Sequence, residues 1–172
     1  SWQHDFNNKS TQYTSVFSSF LDSYEARPFN ILQEKTNAIG IRTRFATEIK
    51  LFQKNLKWTL GTELFNDWNS YQTYENLYQE YPPETGSVQG DLLSDFKENR
   101  RYLNLFFDSE YQISNQLALT FGLNFNQTSY ELRDNFNVEE SSFSGDYNFG
   151  SILSPKFGLT YEMNSNSMFY SN

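Results

Sequence analysis

The sequence predicts an all-β fold, namely a section of an antiparallel transmembrane β-barrel. Three features predict it: apolar and polar residues alternate along several stretches, aromatic residues are in excess, and short connections alternate with long ones. The clearest stretch is 117–125, where every odd position is large and apolar and every even position is small or polar. This period of two is typical of a strand with one apolar face. We count about seven strands.

The composition is compatible with a membrane barrel although the chain is polar overall. Only 37% of the 172 residues are hydrophobic, and the mean hydropathy is −0.71. Such low values are compatible with membrane insertion because only alternate residues of a barrel strand touch lipid. Aromatic residues make up 19% of the chain, which fits girdles at the two membrane interfaces.

Charge and cysteine content exclude several classes of function. The net charge of −8 argues against nucleic acid as a partner. Without cysteine there is no disulfide, thiolate metal site or cysteine nucleophile. His4 is the single histidine, and no phosphate-binding loop, nucleophile elbow or calcium-loop spacing occurs. We therefore expect a protein that is not an enzyme and has no catalytic residue, metal site or cofactor.

The amino-terminal part predicts one strand between a turn and a long loop. Residues 7–10 form a turn signal. A strand runs from Thr11 to about Tyr24, with aromatic residues in both of its phases. A polar loop is predicted over 22–37.

The first predicted hairpin covers 38–65. In both of its strands every charge lies in one phase, and the other phase is apolar or Thr. Pairing Leu51 with Leu56 across a short turn places Arg44 opposite Glu63. An ion pair in the register chosen for the apolar face supports that register.

A second predicted hairpin covers 103–125. Pairing Ile113 with Leu117 brings the apolar residues of both strands onto one face and leaves Asp108 on the other. A further strand covers 157–163, and an unfinished one follows it. The connections are predicted to be short at 52–55, 114–116 and 164–166, and long at 22–37, 66–98 and 132–152. This asymmetry is typical of outer-membrane barrels, whose long loops face outside the cell.

Several short stretches resemble the barrel domain of TonB-dependent outer-membrane receptors. They are RPFNIL at 27–32, WTLGTE at 58–63, ENLYQ at 75–79, GSVQG at 86–90, SPKFG at 154–158 and MFYS at 168–171. The most similar branch is the ferric-siderophore receptors of the Bacteroidetes type. The resemblance implies a barrel of about 22 strands around an N-terminal plug. We expect residues 1–172 to be part of that one barrel domain, with the plug and the remaining strands outside this sequence.

The resemblance also implies a function and partners. Such a receptor sits in the bacterial outer membrane and takes up a scarce nutrient, above all a ferric siderophore. Its expected partners are an extracellular ferric chelate, the TonB complex acting through the plug, and outer-membrane lipid. The alternatives are a small non-transporting barrel, such as an adhesin, structural protein or lipid-modifying enzyme, and a soluble all-β binding protein.

Two groups of side chains are candidate ligand contacts, one on the lumenal face and one near the outer rim. The residues are Arg42, Arg44 and Glu63 in the first group, and Trp68, Tyr71 and Tyr74 in the second. The arginines would attract an anionic ferric chelate or contact the plug, and the alternative is a structural ladder lining a wet lumen. The rings would stack on a flat ligand, and the alternative is a membrane girdle with packing inside the loop.

Overall fold

A computed structural model describes residues 1–7, 9–137, 142–164 and 167–171. Within these residues nine antiparallel strands form one sheet, which confirms the all-β antiparallel fold. The strands are β1 (Trp2–Asn7), β2 (Ser10–Ala26), β3 (Asn30–Leu51), β4 (Lys54–Asn76), β5 (Gln89–Gln112), β6 (Leu117–Asp134), β7 (Gly145–Asn148), β8 (Ile152–Asn164) and β9 (Ser167–Ser171). Pro83–Thr85 forms a 3₁₀ turn. No helix in the described ranges is long and apolar enough to cross a membrane.

The sheet is a meander with one interruption. Neighbouring strands follow one another in sequence, except that β7 and β8 both pair with β6. The short β7 lies along 129–132 of β6, and β8 lies along 117–126. The two therefore act as one neighbour of β6 that is interrupted at 149–151. The sheet is not closed in this chain, because β1 and β9 stand at its opposite ends.

The predicted count of about seven strands is too low by β1 and β7. Trp2–Asn7 pairs with the start of β2, although the sequence showed only a turn signal there. Gly145–Asn148 pairs with β6 inside the segment predicted to be a loop. Both strands are short, and at four to six residues a period of two is hard to distinguish from chance.

The predicted long loops are wrong in their extent, because the strands run much further. The loop predicted at 22–37 is a connection of only three residues, 27–29. The loop predicted at 66–98 shrinks to 77–88, and β6 continues to Asp134. Beyond the apolar stretch both faces of a strand carry polar side chains, so the alternation vanishes while backbone pairing continues. The residues at 138–141, within the third predicted loop, lie outside the described part.

Short turns connect the strands at two of the predicted positions, although the first turn is tighter than predicted. Phe52 and Gln53, with φ of 49° and 65°, connect β3 to β4. Two residues with positive φ make the type of turn that matches the twist of a hairpin. Ile113 N–H donates to Leu117 C=O over 2.9 Å, as the second hairpin requires. The predicted turn at 164–166 includes residues that lie outside the described ranges.

The register of the first hairpin is wrong by two residues. Leu51 pairs with Lys54, and Arg42, not Arg44, stands opposite Glu63. The turn has two residues instead of four, which moves every pair along by two. A shift of two keeps each side chain on the same face, so the predicted faces survive the error. The register of the second hairpin is confirmed throughout, with Phe107 opposite Leu123.

One face of the sheet, which we call the apolar face, carries a row of aromatic rings. Successive ring centroids along this row are 5.2–6.4 Å apart. The rings belong to Phe6, Phe45, Trp58, Phe107, Phe121 and Phe157. Leucines and isoleucines on the same face are largely exposed, as is Leu60. The opposite face, which we call the polar face, carries charges and amides.

The sheet encloses almost no hydrophobic core. Among the described residues only Ile31 and Ala38 are hydrophobic and buried. A water-soluble domain of this length would bury many large side chains to offset the entropy of folding. The apolar face therefore needs another partner for its surface.

Candidate functional site

The polar face is the candidate functional surface, and Arg42 and Glu63 form its clearest ion pair. Arg42 Nε lies 2.5 Å from Glu63 Oε2, because β3 and β4 place these residues directly opposite each other. The Arg42 side chain is still 60% exposed, whereas Glu63 is mostly covered. The guanidinium therefore keeps donors free to meet a ligand.

Arg44 is less compensated than Arg42. Its guanidinium carbon lies 4.6 Å from the centre of the Tyr13 ring, a cation–π contact with the neighbouring strand. Within the described part of the chain no carboxylate lies within 4.0 Å of it. Arg44 is also exposed. An anion approaching the polar face would therefore find this charge available.

An amide and phenol patch continues the polar face beside Glu63. Asn104 is the cross-strand partner of Glu63, and its amide and that of Asn124 donate to each other's carbonyl oxygens over 3.4 and 3.3 Å. Tyr102 Oη accepts from Asn126 Nδ2 over 2.8 Å. These groups are half-buried and offer both donors and acceptors, so they can bind an oxygen-rich ligand.

A buried ion pair lies further towards the long connections. Asp67 Oδ2 accepts a short hydrogen bond from Arg100 Nη2, and the Asp67 side chain is only 3% exposed. The Arg100 guanidinium also faces the rings of Phe65, at 5.5 Å, and Tyr130, at 6.0 Å. Asp67 Oδ1 and Arg100 Nε are buried and have no hydrogen-bond partner. This cluster links β4, β5 and β6 through side-chain contacts.

Sequence reasoning missed this cluster, although a signal for it existed. Asp67 and Arg100 are direct cross-strand partners on β4 and β5. Asp67 was assigned to the loop predicted at 66–98, and Arg100 lay between that loop and the hairpin predicted from residue 103. Extending the pairing of the apolar residues on β4 and β5 further towards the long connections would have placed Asp67 opposite Arg100.

Charges nearer the short turns are paired with each other. Lys156 Nζ lies 3.6 Å from Asp108 Oδ1, and Lys57 Nζ lies 3.8 Å from Glu110 Oε1. All four side chains are substantially exposed. Pairs of this kind contribute little to stability and form a hydrated lining.

The structure separates the three aromatic candidates. Tyr71 lies on the polar face and packs against Phe96, with ring centroids 5.4 Å apart. Trp68 and Tyr74 are an odd number of residues from Tyr71 and lie on the other side of β4. The three rings therefore cannot line one lumenal surface, and only Tyr71 shares a face with Arg42.

Asp134 organises the connection that follows β6. Its carboxylate accepts backbone N–H groups from Asn137 at 2.9 Å, Phe136 at 3.0 Å and Phe143 at 3.2 Å. These hydrogen bonds, led by that from Asn137, hold the pKa of Asp134 below its usual value. No cluster of His, Cys, Asp and Glu in the described residues could hold a metal ion.

Comparison with known proteins identifies a family whose model covers the whole chain. A family model described as the TonB dependent receptor-like β-barrel matches residues 1–172. No curated protein matches the sequence.

Solved structures show the same architecture. The ferric citrate transporter FecA superposes with a TM-score of 0.76 and 12% identity, covering 98% of this chain and 25% of its own. The siderophore receptor PiuA from Acinetobacter baumannii gives 0.73 and 12%, covering 98% and 30%. The ferric-catecholate import receptor Fiu from E. coli K12 gives 0.67 and 12%, covering 98% and 33%. At such identity the likeness shows the fold alone, and the chain spans a quarter to a third of these structures.

Proposed function

Since the chain belongs to the TonB-dependent receptor β-barrel family, we propose that it is a section of an outer-membrane receptor that imports a ferric siderophore or similar ferric chelate. The family is one of receptors and not of enzymes. The matched structures named as importers or receptors of ferric citrate, ferric catecholate and siderophores support the choice of cargo. Membership of the Bacteroidetes-type branch stays a prediction from sequence.

The observation that carries the proposal is the exposed arginine pair on a polar, hydrogen-bonding face. Arg42 and Arg44 lie on one strand, two residues apart, and present two cations on the same side. A ferric chelate with carboxylate or catecholate oxygens carries negative charge. Coulomb attraction inside a lumen with low-dielectric walls would concentrate it there.

The rest of the receptor completes the proposed mechanism. The remaining strands would close the barrel, and a plug would fill it. Arg42 and Arg44 would hold the anionic chelate, or contact the plug, until the TonB complex pulls on that plug. The cargo would cross without chemical change, so the residues would act by charge and hydrogen bonding alone.

Iron-limited growth tests the proposal. The gene for the full-length protein would be deleted, and growth compared on ferric citrate, a ferric catecholate and a ferric hydroxamate as sole iron sources. We expect growth on one of these chelates to fail, and to need both this protein and TonB. A deletion strain that grows normally on every ferric chelate, or uptake that persists without TonB, would contradict the proposal.

Point variants locate the ligand contact. Arg44→Gln removes the uncompensated cation and should raise the chelate concentration for half-maximal uptake several-fold. Lys57→Gln is the matched control, because that lysine lies on the same face but is paired with Glu110. Equal effects of both variants would show that Arg44 has no specific role.

The family match favours a receptor over the two alternatives. A soluble binding protein needs a core, and the described residues provide almost none. A small self-contained barrel would not be expected to superpose on quarter-to-third sections of large receptors.

A further inference from the structure

A row of aromatic side chains also crosses the polar face, nearer to the long connections than the exposed arginine pair. Phe17 and Phe65 stack with their ring centroids 6.1 Å apart. Further along, the ring centroids of Tyr130 and Phe149 are 5.5 Å apart, and those of Phe149 and Tyr147 are 4.6 Å apart. The rings belong to β2, β4, β6, β7 and the connection after β7, so this row, which we call the polar-face ring row, spans most of the sheet.

Arg100 joins the two halves of the polar-face ring row. Its guanidinium carbon lies 5.5 Å from the centre of the Phe65 ring and 6.0 Å from that of the Tyr130 ring. Asp67 binds one of its nitrogens, yet the Arg100 side chain is still partly exposed. Because a guanidinium carries several N–H donors, the row presents a positive charge and free donors between its rings.

The two ends of the row differ in what they contribute to the fold. Phe17 lies over Gly40, where its ring occupies the space that a Cβ atom would need, so this ring covers bare backbone. Tyr147 and Phe149 are 60% and 45% exposed. Within the described residues their ring contacts are with each other and with Tyr130. The end formed by Tyr147 and Phe149 is therefore available to a ligand, and the fold does not depend on it.

Rings beside a guanidinium favour one class of ferric chelate. Catecholate groups are aromatic and anionic at once. Their rings can pack against Tyr147 and Phe149 in offset or edge-to-face geometry, and their oxygens can accept N–H groups of Arg100. Citrate supplies negative charge without rings, and bringing its carboxylates against exposed rings would remove water from them without a compensating contact. A ferric trihydroxamate with aliphatic arms supplies neither net charge nor rings.

We propose that the polar-face ring row makes the receptor selective for ferric chelates with catecholate rings, and that Tyr147, Phe149 and Arg100 determine this specificity. The inference rests on the proposed import of a ferric chelate and narrows its cargo to one class. Arg100 lies four residues along β5 from Asn104, which is level with Arg42, so the row lies about 13 Å nearer to the long connections. These connections face the cell exterior in such barrels. An incoming chelate would therefore meet the row before the arginine pair.

Equilibrium dialysis of the full-length protein in detergent, with chelates of radioactive iron, tests the proposal. The probes are a synthetic ferric tris-catecholate, ferric citrate and a synthetic ferric trihydroxamate with aliphatic arms. The double variant Tyr147→Leu/Phe149→Leu removes both exposed rings, and Arg100→Lys keeps a cation beside Asp67 but loses the planar donors. Tyr170→Leu is the matched control, because Tyr170 is an exposed tyrosine on the same face, opposite Thr160 and close to the short turns.

We expect wild type to bind the tris-catecholate at least about tenfold more tightly than the other two chelates. The double variant should lose about tenfold in affinity for the tris-catecholate alone, and Arg100→Lys should lose several-fold, whereas Tyr170→Leu should match wild type.

Three other results would overturn the inference and leave the import of a ferric chelate in place. They are tighter binding of ferric citrate or the trihydroxamate by wild type, an equal loss in Tyr170→Leu, and undiminished binding of the tris-catecholate by the double variant. The last result would show that another part of the receptor, such as the plug, covers the row. Binding of none of the three chelates by wild type would contradict the proposed function itself, and the inference with it.

Discussion

At the scale of single residues, the Asp67–Arg100 pair has the greatest consequence for stability. The Asp67 carboxylate is almost fully enclosed, and the Arg100 side chain is 39% exposed. A charge so placed depends on its partner, because water cannot replace the lost hydrogen bond. The pair also holds the Phe65 and Tyr130 rings around one guanidinium.

Asp67→Asn should therefore destabilise the folded protein by about 1–3 kcal/mol, the usual cost of leaving a buried polar group unpaired. The free energy of unfolding can be measured by urea titration of the refolded full-length protein in detergent. Asp108→Asn is the matched control, since its ion pair with Lys156 is exposed and should contribute less than about 1 kcal/mol. Equal losses in both variants would contradict this ranking.

Asp134 makes the outer connection sensitive to acid. It is the last residue of β6, well beyond the apolar stretch, and its pKa is lowered by the N–H groups that it accepts, first that of Asn137. A carboxyl whose pKa is lower in the folded state stabilises that state above its unfolded pKa of about 3.9. The contribution disappears as the pH falls through the folded pKa.

Amide exchange should report this loss at Asn137 and Phe143. After correction for intrinsic rates, protection of both amides should decrease below about pH 4. In Asp134→Asn the protection should be lower at neutral pH and should no longer change over that range. A wild-type protection that is constant down to acid pH would refute the role of this carboxylate.

At the scale of elements, the strands show how much of the fold the sequence predicts. The apolar phase of 117–125 and 103–113 correctly identified the second hairpin and its register, because the positions of the apolar face alternate strictly there. The strand ends were wrong wherever polar side chains occupy both faces, as at Asp22 and Lys35. There the pairing rests on backbone hydrogen bonds, which leave no trace in the side-chain pattern.

The hairpin of β3 and β4 shows why register is harder to predict than face. A turn of two residues at Phe52 and Gln53 carries no glycine or asparagine signal for positive φ. A turn of four residues fits the sequence equally well, and Glu63 stands opposite an arginine in both registers. This register error carried over to the candidate site. Glu63 was correctly predicted to pair with an arginine, but its partner is Arg42 and not Arg44.

Phe121→Arg tests the apolar face at the level of one strand. Arginine on the lipid side of a barrel strand costs about 2–4 kcal/mol near the bilayer midplane, so assembly in the outer membrane should fail. Asn124→Arg is the control on the polar face of the same strand, where a hydrated lumen accepts the charge. Heat-dependent migration of the folded band in gels measures both, and normal assembly of Phe121→Arg would contradict the assignment.

At the scale of the whole molecule, the sheet is an incomplete body. Its apolar side chains lie mainly on one exposed face and most of its ion pairs on the other, and its two edge strands do not meet. Such a sheet becomes stable when its apolar face meets lipid and further strands close its edges. The match to a quarter to a third of larger receptor structures fits this requirement.

The candidate functional surface was only partly predictable, because some of its residues lie on strand ends that the sequence pattern does not reveal. Arg42, Arg44 and Glu63 share a face because of their parity on strands, which the sequence shows directly. The separation of Trp68 from Tyr71 and the pairing of Asp67 with Arg100 both depend on strands that continue beyond their alternating stretches. That continuation rests on backbone hydrogen bonds between neighbouring strands and not on any local side-chain pattern.

The central claim is that the apolar face meets hydrocarbon and the polar face meets water. The chain has no cysteine, so nitroxide labels on single cysteines introduced at successive positions from 117 to 125 can report their surroundings. In the reconstituted full-length protein, oxygen should relax the labels at odd positions most and a water-soluble nickel complex those at even positions. Odd positions that are accessible to nickel, or a profile without a period of two, would contradict the account.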